Sequence, residues 1–147
     1  TLRTNYRTFD AAAFLRRAGA DTVDVKKLMQ SGLEQTVEKY KILQGARLYR
    51  SVAVAIPDKP HNRVVAAQAA DELLNVAGVD ASMVMYPTDE EGVFVSARSI
   101  GDVNVQLIME RLGGGGNRAA AAAQLDNISL QDAASKLFAA IDEYMDS

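Results

Sequence analysis

Apolar residues recur at helical spacing in the N-terminal part of the chain, then alternate in short runs, and the two patterns interleave from there on. Thr8 is placed to cap a helix over 9–17, with Phe9, Ala12, Ala13 and Arg16 at helical spacing and Gly19 to end it. Asp24 to Gln30 reads as a second, short helix carrying Val25, Leu28 and Met29, broken by Ser31-Gly32. Leu33, Val37, Tyr40 and Leu43 resume the helical spacing. Ser51 to Ile56 is a β-rich run stopped by Pro57. A polar loop at Pro60-His61-Asn62 leads into a helix over 64–76, with Val65, Ala69, Leu73 and Val76 on one face and Gly78 beyond its end.

Two strands follow, Ala81 to Tyr86 and Val93 to Ser96, joined by the polar turn at 87–92. The spacing over Val103 to Leu112 is helical, with Val103, Leu107 and Ile108 inward. A short strand at Gln124-Leu125 and a helix capped by Ser129 close the chain; Leu130, Ala133, Leu137, Ala140, Ile141 and Tyr144 form that helix's apolar face. This order predicts an α/β fold, a small sheet covered by helices, preceded by a helical segment. The expected division is 1–46 for the helical segment and 47–147 for the α/β domain.

The run Gly113-Gly114-Gly115-Gly116-Asn117 interrupts these patterns. Consecutive glycines expose bare N–H groups that can form a concave nest for a phosphate. If the alanines that follow begin a helix, its N-terminus adds free donors. The competing reading is a flexible linker, which usually has polar flanks; here the flanks are apolar and patterned. Ser96, Arg98 and Ser99 stand where a strand ends, a place that commonly faces ligands. The Arg98 fork suits phosphate, and the serines add hydroxyls, although a surface arginine after a strand has the same appearance. Asn104 can cap a helix or touch a ligand.

Composition narrows the chemistry. The 147 residues are 48% hydrophobic and 24% charged, with no cysteine, one histidine and a net charge of −3. That excludes a disulfide framework and a thiol nucleophile, and it argues against a protein that coats long nucleic acid. His61 reads as an exposed loop histidine rather than a catalytic one. The acids at 89–91, and Asp142, Glu143 and Asp146, read as solvated turn and helix end. No hydrolytic triad is visible, and no apolar stretch approaches the roughly 20 residues of a membrane span. On residues alone the chain reads as a small phosphate-binding module without its own catalytic groups.

The spacing from Val95-Ser96-Ala97-Arg98-Ser99 through Asn104 and Leu112 to the glycine run, closing on Ala121 to Leu125, resembles the DHH-associated domain of DHH-superfamily phosphoesterases. It is most similar to the membrane-linked cyclic-di-AMP phosphodiesterases of Gram-positive bacteria. Thr1 to Thr4, Arg7 to Ala12 and Gly19-Ala20-Asp21 resemble the end of that family's DHH domain. The resemblance implies a phosphodiesterase whose manganese ions are bound by an upstream DHH domain of the same chain, at the cytoplasmic face of the membrane. This chain is then a soluble recognition fragment, inactive alone. It implies that Ser96, Arg98, Ser99, Asn104, Gly113, Gly114, Gly115, Gly116 and Asn117 hold a cyclic dinucleotide or a short oligonucleotide. A homodimer stays open. A nanoRNase or single-strand exonuclease of the same superfamily, and a non-catalytic nucleic-acid-binding module, are the alternatives. The family pattern has histidine after four glycines; this chain has Asn117. It therefore lacks a group that can turn cationic near neutral pH.

Overall fold

The computed structural model describes residues 22–147. The expected helix over 9–17 and the motifs at 1–21 lie outside the described residues. Two compact units meet between Val37 and Glu38. The first, over its described residues, is helical. The expected division at 46/47 falls between the end of the helix α1 (Thr22–Gln44) and the first strand.

α1 corrects the expected break at Ser31-Gly32. A glycine inside a helix costs about 1 kcal/mol relative to alanine, which a helix of 23 residues tolerates. The Thr36 hydroxyl also donates back to the Gly32 carbonyl at 2.9 Å. The spacing expected to bury Leu33, Val37 and Tyr40 leaves each more than half exposed, and Ile42 is buried instead.

The second unit carries one sheet. In chain order its strands are β1 (Arg47–Tyr49), β2 (Val52–Ala55), β3 (Ala81–Pro87), β4 (Gly92–Ser99), β5 (Gly115–Gly116) and β6 (Ala120–Asp126). In space the order is β1-β2-β3-β4-β6-β5. Only β2 and β3 are parallel, and the helix α2 (Arg63–Leu73) makes the crossover between them. Asn62 caps α2 by accepting from the N–H groups of Val64 and Val65. The helices α3 (Val105–Glu110) and α4 (Leu130–Asp146) complete the unit, and Ser129 caps α4 as expected.

Strand alternation divides the core between two faces. Val52, Val54, Met83, Met85, Val93, Val95 and Ala97 pack with Ile108 and Met109 of α3 and Leu137 and Ile141 of α4. Ala53, Ala55, Val84 and Tyr86 pack with Val65, Ala69 and Leu73 of α2 and with Ile42. Val76 and Leu107, expected inward, are exposed. Val76 lies past the end of α2, and Leu107 faces away from the sheet between buried Val105 and Ile108.

Two strands depart from expectation. β1 has no counterpart in the sequence pattern, and β6 takes in the alanine run expected to open a helix or to serve as bare packing. The acidic end of α4 is not simply solvated. The Tyr49 hydroxyl donates to Asp142 at 2.8 Å, and Arg50 pairs with Asp142 at 2.9 Å and with Asp146 at 2.7 Å. Glu143 pairs with Arg111.

The Arg50 guanidinium and the Tyr49 hydroxyl hold the Asp142 carboxyl below its ordinary value. A carboxyl depressed in the folded state stabilises above its unfolded pKa, and that contribution is lost as pH falls through the folded value. Asp142→Asn is therefore expected to lower the urea midpoint at pH 7. The gap to wild type should shrink below about pH 4, the ordinary aspartate range. An equal gap at pH 7 and pH 3 would refute the assignment.

Candidate functional site

Strand β4 carries the serine-arginine tetrapeptide, and alternation sends its residues to opposite faces. Ser96 and Arg98 lie on the face that packs α2, with Ala97 on the other face in the α3 and α4 core. Arg98 opposes Ser82 on β3 and Ala120 on β6, and Ser96 opposes Val84 and Ala122. The strand partners beside Arg98 and Ser96 on the β6 side are therefore methyl groups. They leave a shallow shelf in which Ala120 and Ala122 are partly exposed.

The Arg98 side chain is held on two sides. Its Nη1 donates to the Ala97 carbonyl at 2.9 Å and reaches the Ser96 hydroxyl at 3.4 Å. Its Nε lies 3.2 Å from Oδ1 of Asp71 on α2. Among the described residues its Nη2 donates no hydrogen bond. A planar guanidinium beside a shelf without bulky side chains suits an oxyanion.

The glycine run does not form the expected nest. The N–H of Gly113 donates to Glu110 (3.1 Å) and that of Gly114 to Met109 (2.9 Å), a Schellman stop for α3, with Gly113 at φ 84° as the left-handed residue. Gly115 and Gly116 then form β5, paired with Ala122 and Ala121. The Asn117 N–H donates to the Ala120 carbonyl at 2.8 Å, and the Asn117 side-chain oxygen accepts from Ala119 and Ala120. The donors of Gly113, Gly114 and Asn117 are thus committed within the chain. Asn117 locks the hairpin turn by a local side-chain to backbone bond of the kind asparagine favours.

The sheet register brings part of the candidate set together. Ser96, Ala122 and Gly115 lie in line across three strands, as do Arg98, Ala120 and Asn117. At the usual strand spacing, the glycine strand lies about 10 Å from Arg98. Ser99 does not join them. It is buried on the opposite face, its hydroxyl donating to the Asp80 carbonyl at 3.4 Å and accepting from the Gly101 N–H at 3.1 Å. Asn104 caps α3 through Gln106, and its own N–H donates to the Tyr144 hydroxyl. It borders the site only through its neighbour, since the Val105 N–H donates to the Arg118 carbonyl.

Two residues near the site escape the sequence reading. Asp71 is invisible there because its partner is on a distant strand. Arg118 adds a second guanidinium, with Nε on the Gly101 carbonyl at 2.7 Å; its place directly after the glycine-asparagine run was the available signal. His61 is not the exposed residue expected. Its side chain is 12% exposed, and Nδ1 lies 2.8 Å from Glu38. It stands in the wall of a cavity of about 270 Å³ with Arg63, Tyr86 and Gln124. Since Phe94 pairs with Gln124 and Arg98 with Ala120, this cavity lies toward the other end of β4 from Arg98. Among the described residues no group of three His, Cys, Asp or Glu side chains is placed to hold a metal ion, and no helix is long and apolar enough to cross a membrane.

Residues 49–147 match the DHHA1 domain family. The chain is 45% identical over 99% of its length to the cyclic-di-AMP phosphodiesterase GdpP of Bacillus subtilis (strain 168). It is 40% identical over 98% of its length to the cyclic-di-AMP phosphodiesterase PdeA of Listeria monocytogenes serotype 1/2a (strain 10403S). It spans only 23% and 22% of the length of those two relatives. Among solved structures, an exopolyphosphatase-related protein from Bacteroides fragilis shares the fold. Its TM-score is 0.68 at 18% identity, over 88% of this chain and 41% of that one.

Proposed function

The chain belongs to the DHHA1 domain family, and from that membership we propose that it is the substrate-gripping part of a cyclic-di-AMP phosphodiesterase. The observation that carries the reading is the guanidinium of Arg98, fixed on two sides, with no hydrogen bond from Nη2 among the described residues, beside a shelf of alanines and the exposed edge of the glycine strand. High identity over nearly the whole chain to two phosphodiesterases of that name supports the choice of substrate class.

In this reading the chain's residues bind and orient, and they do not cleave. Arg98 donates a charge-assisted hydrogen bond to a phosphodiester oxygen, and Ser96 holds the guanidinium plane. Ala120, Ala122 and Gly115 leave room for the sugar-phosphate backbone. Gly113, Gly114, Gly116, Asn117, Ser99 and Asn104 act at one remove, by building the hairpin, the end of β4 and the start of α3. The metal-dependent step, with manganese as the expected ion, belongs to an upstream DHH domain of the same longer polypeptide, working at the cytoplasmic face of the membrane. Two-metal cleavage needs a set of carboxylate and imidazole ligands, which the described residues do not gather.

The test is titration of cyclic-di-AMP against the chain. A hydrogen bond to a charged group contributes about 1.5–3 kcal/mol, so Arg98→Ala is expected to weaken binding by roughly ten- to a hundredfold. Circular dichroism of the variant shows whether it stays folded. A folded Arg98→Ala that binds as tightly as wild type would place the phosphate elsewhere.

A further inference from the structure

The site contains a negative charge that gripping a phosphate does not require. Asp71 projects from the last turn of α2, its side chain 64% exposed, and faces the Nε of Arg98 at 3.2 Å. Its position is set by the sheet. The Ser82 hydroxyl donates to the Ala70 carbonyl, one residue before Asp71, and Ser82 is the cross-strand neighbour of Arg98. The guanidinium is already tied inward by Ala97 and Ser96. An exposed ion pair of this kind adds little stability. Its consequence is electrostatic, because it cancels the formal charge of Arg98 at the point where an anion would dock. The other guanidinium nearby, that of Arg118, is turned onto the Gly101 and Asp102 carbonyls.

We propose that Asp71 makes this a site for the singly charged phosphodiester and against the doubly charged terminal phosphate. The inference rests on the function proposed above and names its selectivity. A phosphodiester carries one negative charge. A phosphate monoester loses its second proton near pH 6 and carries close to two at neutral pH. Hydrolysis of one ester bond of a cyclic dinucleotide adds the oxygen of water to phosphorus. The P–O bond to the leaving sugar oxygen breaks, and that oxygen takes a proton. The product is a linear dinucleotide with a terminal phosphate, one charge more negative than the substrate. A carboxylate held beside the gripping guanidinium disfavours that extra charge. At about 6 Å in a medium between protein and water, the repulsion amounts to roughly three- to tenfold in affinity. The site thus keeps substrate and lets product go.

The experiment uses the ¹⁵N-labelled chain, titrated by NMR with cyclic-di-AMP and, separately, with linear diadenylate bearing a 5′-phosphate. NMR reads affinities into the millimolar range, so weak binding is still measured. Wild type is expected to prefer the cyclic ligand. Asp71→Asn should narrow that preference by about three- to tenfold, chiefly through tighter binding of the linear ligand, and Asp71→Glu should restore it. A folded Asp71→Asn whose preference stays within about twofold of wild type, while Arg98→Ala still weakens both ligands, overturns the role of Asp71 alone. If Arg98→Ala weakens neither ligand, or neither ligand perturbs the spectrum, the proposed function itself falls and the selectivity with it.

Discussion

Gly116→Ala should cost the domain about 3 kcal/mol or more, while Gly115→Ala, one residue away, should leave it folded. A Cβ on Gly116 would sit 2.5 Å from both the Ala120 carbonyl oxygen and the Ala121 Cα, and its φ of 146° disfavours any L side chain. Overpacking typically costs about 1–3 kcal/mol, and the backbone strain adds to it. Gly114 is similarly enclosed, with the Cα and Cβ of Ala123 each 2.7 Å from its added carbon. At Gly115 the added carbon meets nothing within 4 Å. Urea midpoints and amide exchange along β5 and β6 provide the check. A Gly116→Ala midpoint equal to wild type would show that the hairpin is not seated as described. Gly115→Ala has a second use: its methyl enters the shelf beside Ala122, so reduced cyclic-di-AMP binding by a fully stable variant would support the glycine strand as a ligand wall.

Ile141→Ala should cost about 2–5 kcal/mol, as do other large-to-small changes at buried aliphatic positions. Ile141 is fully buried where α4 crosses the sheet, in one cluster with Leu137, Ile108 and Met109. Against a total stability of roughly 5–15 kcal/mol for a domain, a loss near the upper end leaves little margin at 37 °C. Ile141→Val, which removes one methyl, should cost about 0.5–1.5 kcal/mol. If the alanine variant melts no lower than the valine variant, α4 does not contribute to the core in the way its buried face indicates.

The amphipathic helices and the alternating strands were legible because burial dictates their periodicity. Ser129 and Asn104 announced helix starts by their chemistry, and both are caps. Three features were hidden, each for a physical reason. β1 meets β2 across Arg50-Ser51, both at positive φ. That backbone suits a two-residue hairpin turn, but the glycine or asparagine that usually advertises it is absent. The first half of β6, Ala120 to Ala123, is a run of alanines with no alternation of size or polarity, so only its end at Gln124-Leu125 was legible; tertiary context makes the alanines a strand, because only small side chains admit the glycine backbone of β5 beside them. Gly32 looked like a helix end, yet helical structure continues on both sides of it.

The candidate site was half legible. Ser96 and Arg98, two apart on a strand, share a face by necessity. Ser99 breaks that parity and lands in the opposite layer. The glycine run advertises a bare backbone, but the close approach it permits is to β6 rather than a nest of free donors. Asp71 could not be found from local pattern, since what places it beside Arg98 is the crossover through α2.

The two outermost strands of the sheet, β1 and β5, are three and two residues long. A sheet edge is a template for adding another chain, and its appeal grows with the length of unpaired backbone it presents. Here each border strand is too short to seed a growing ribbon by itself, and one of them is nothing but glycine. Among the described residues, the outermost strands thus limit edge-to-edge pairing chiefly by brevity, which lets the interior strands stay largely apolar.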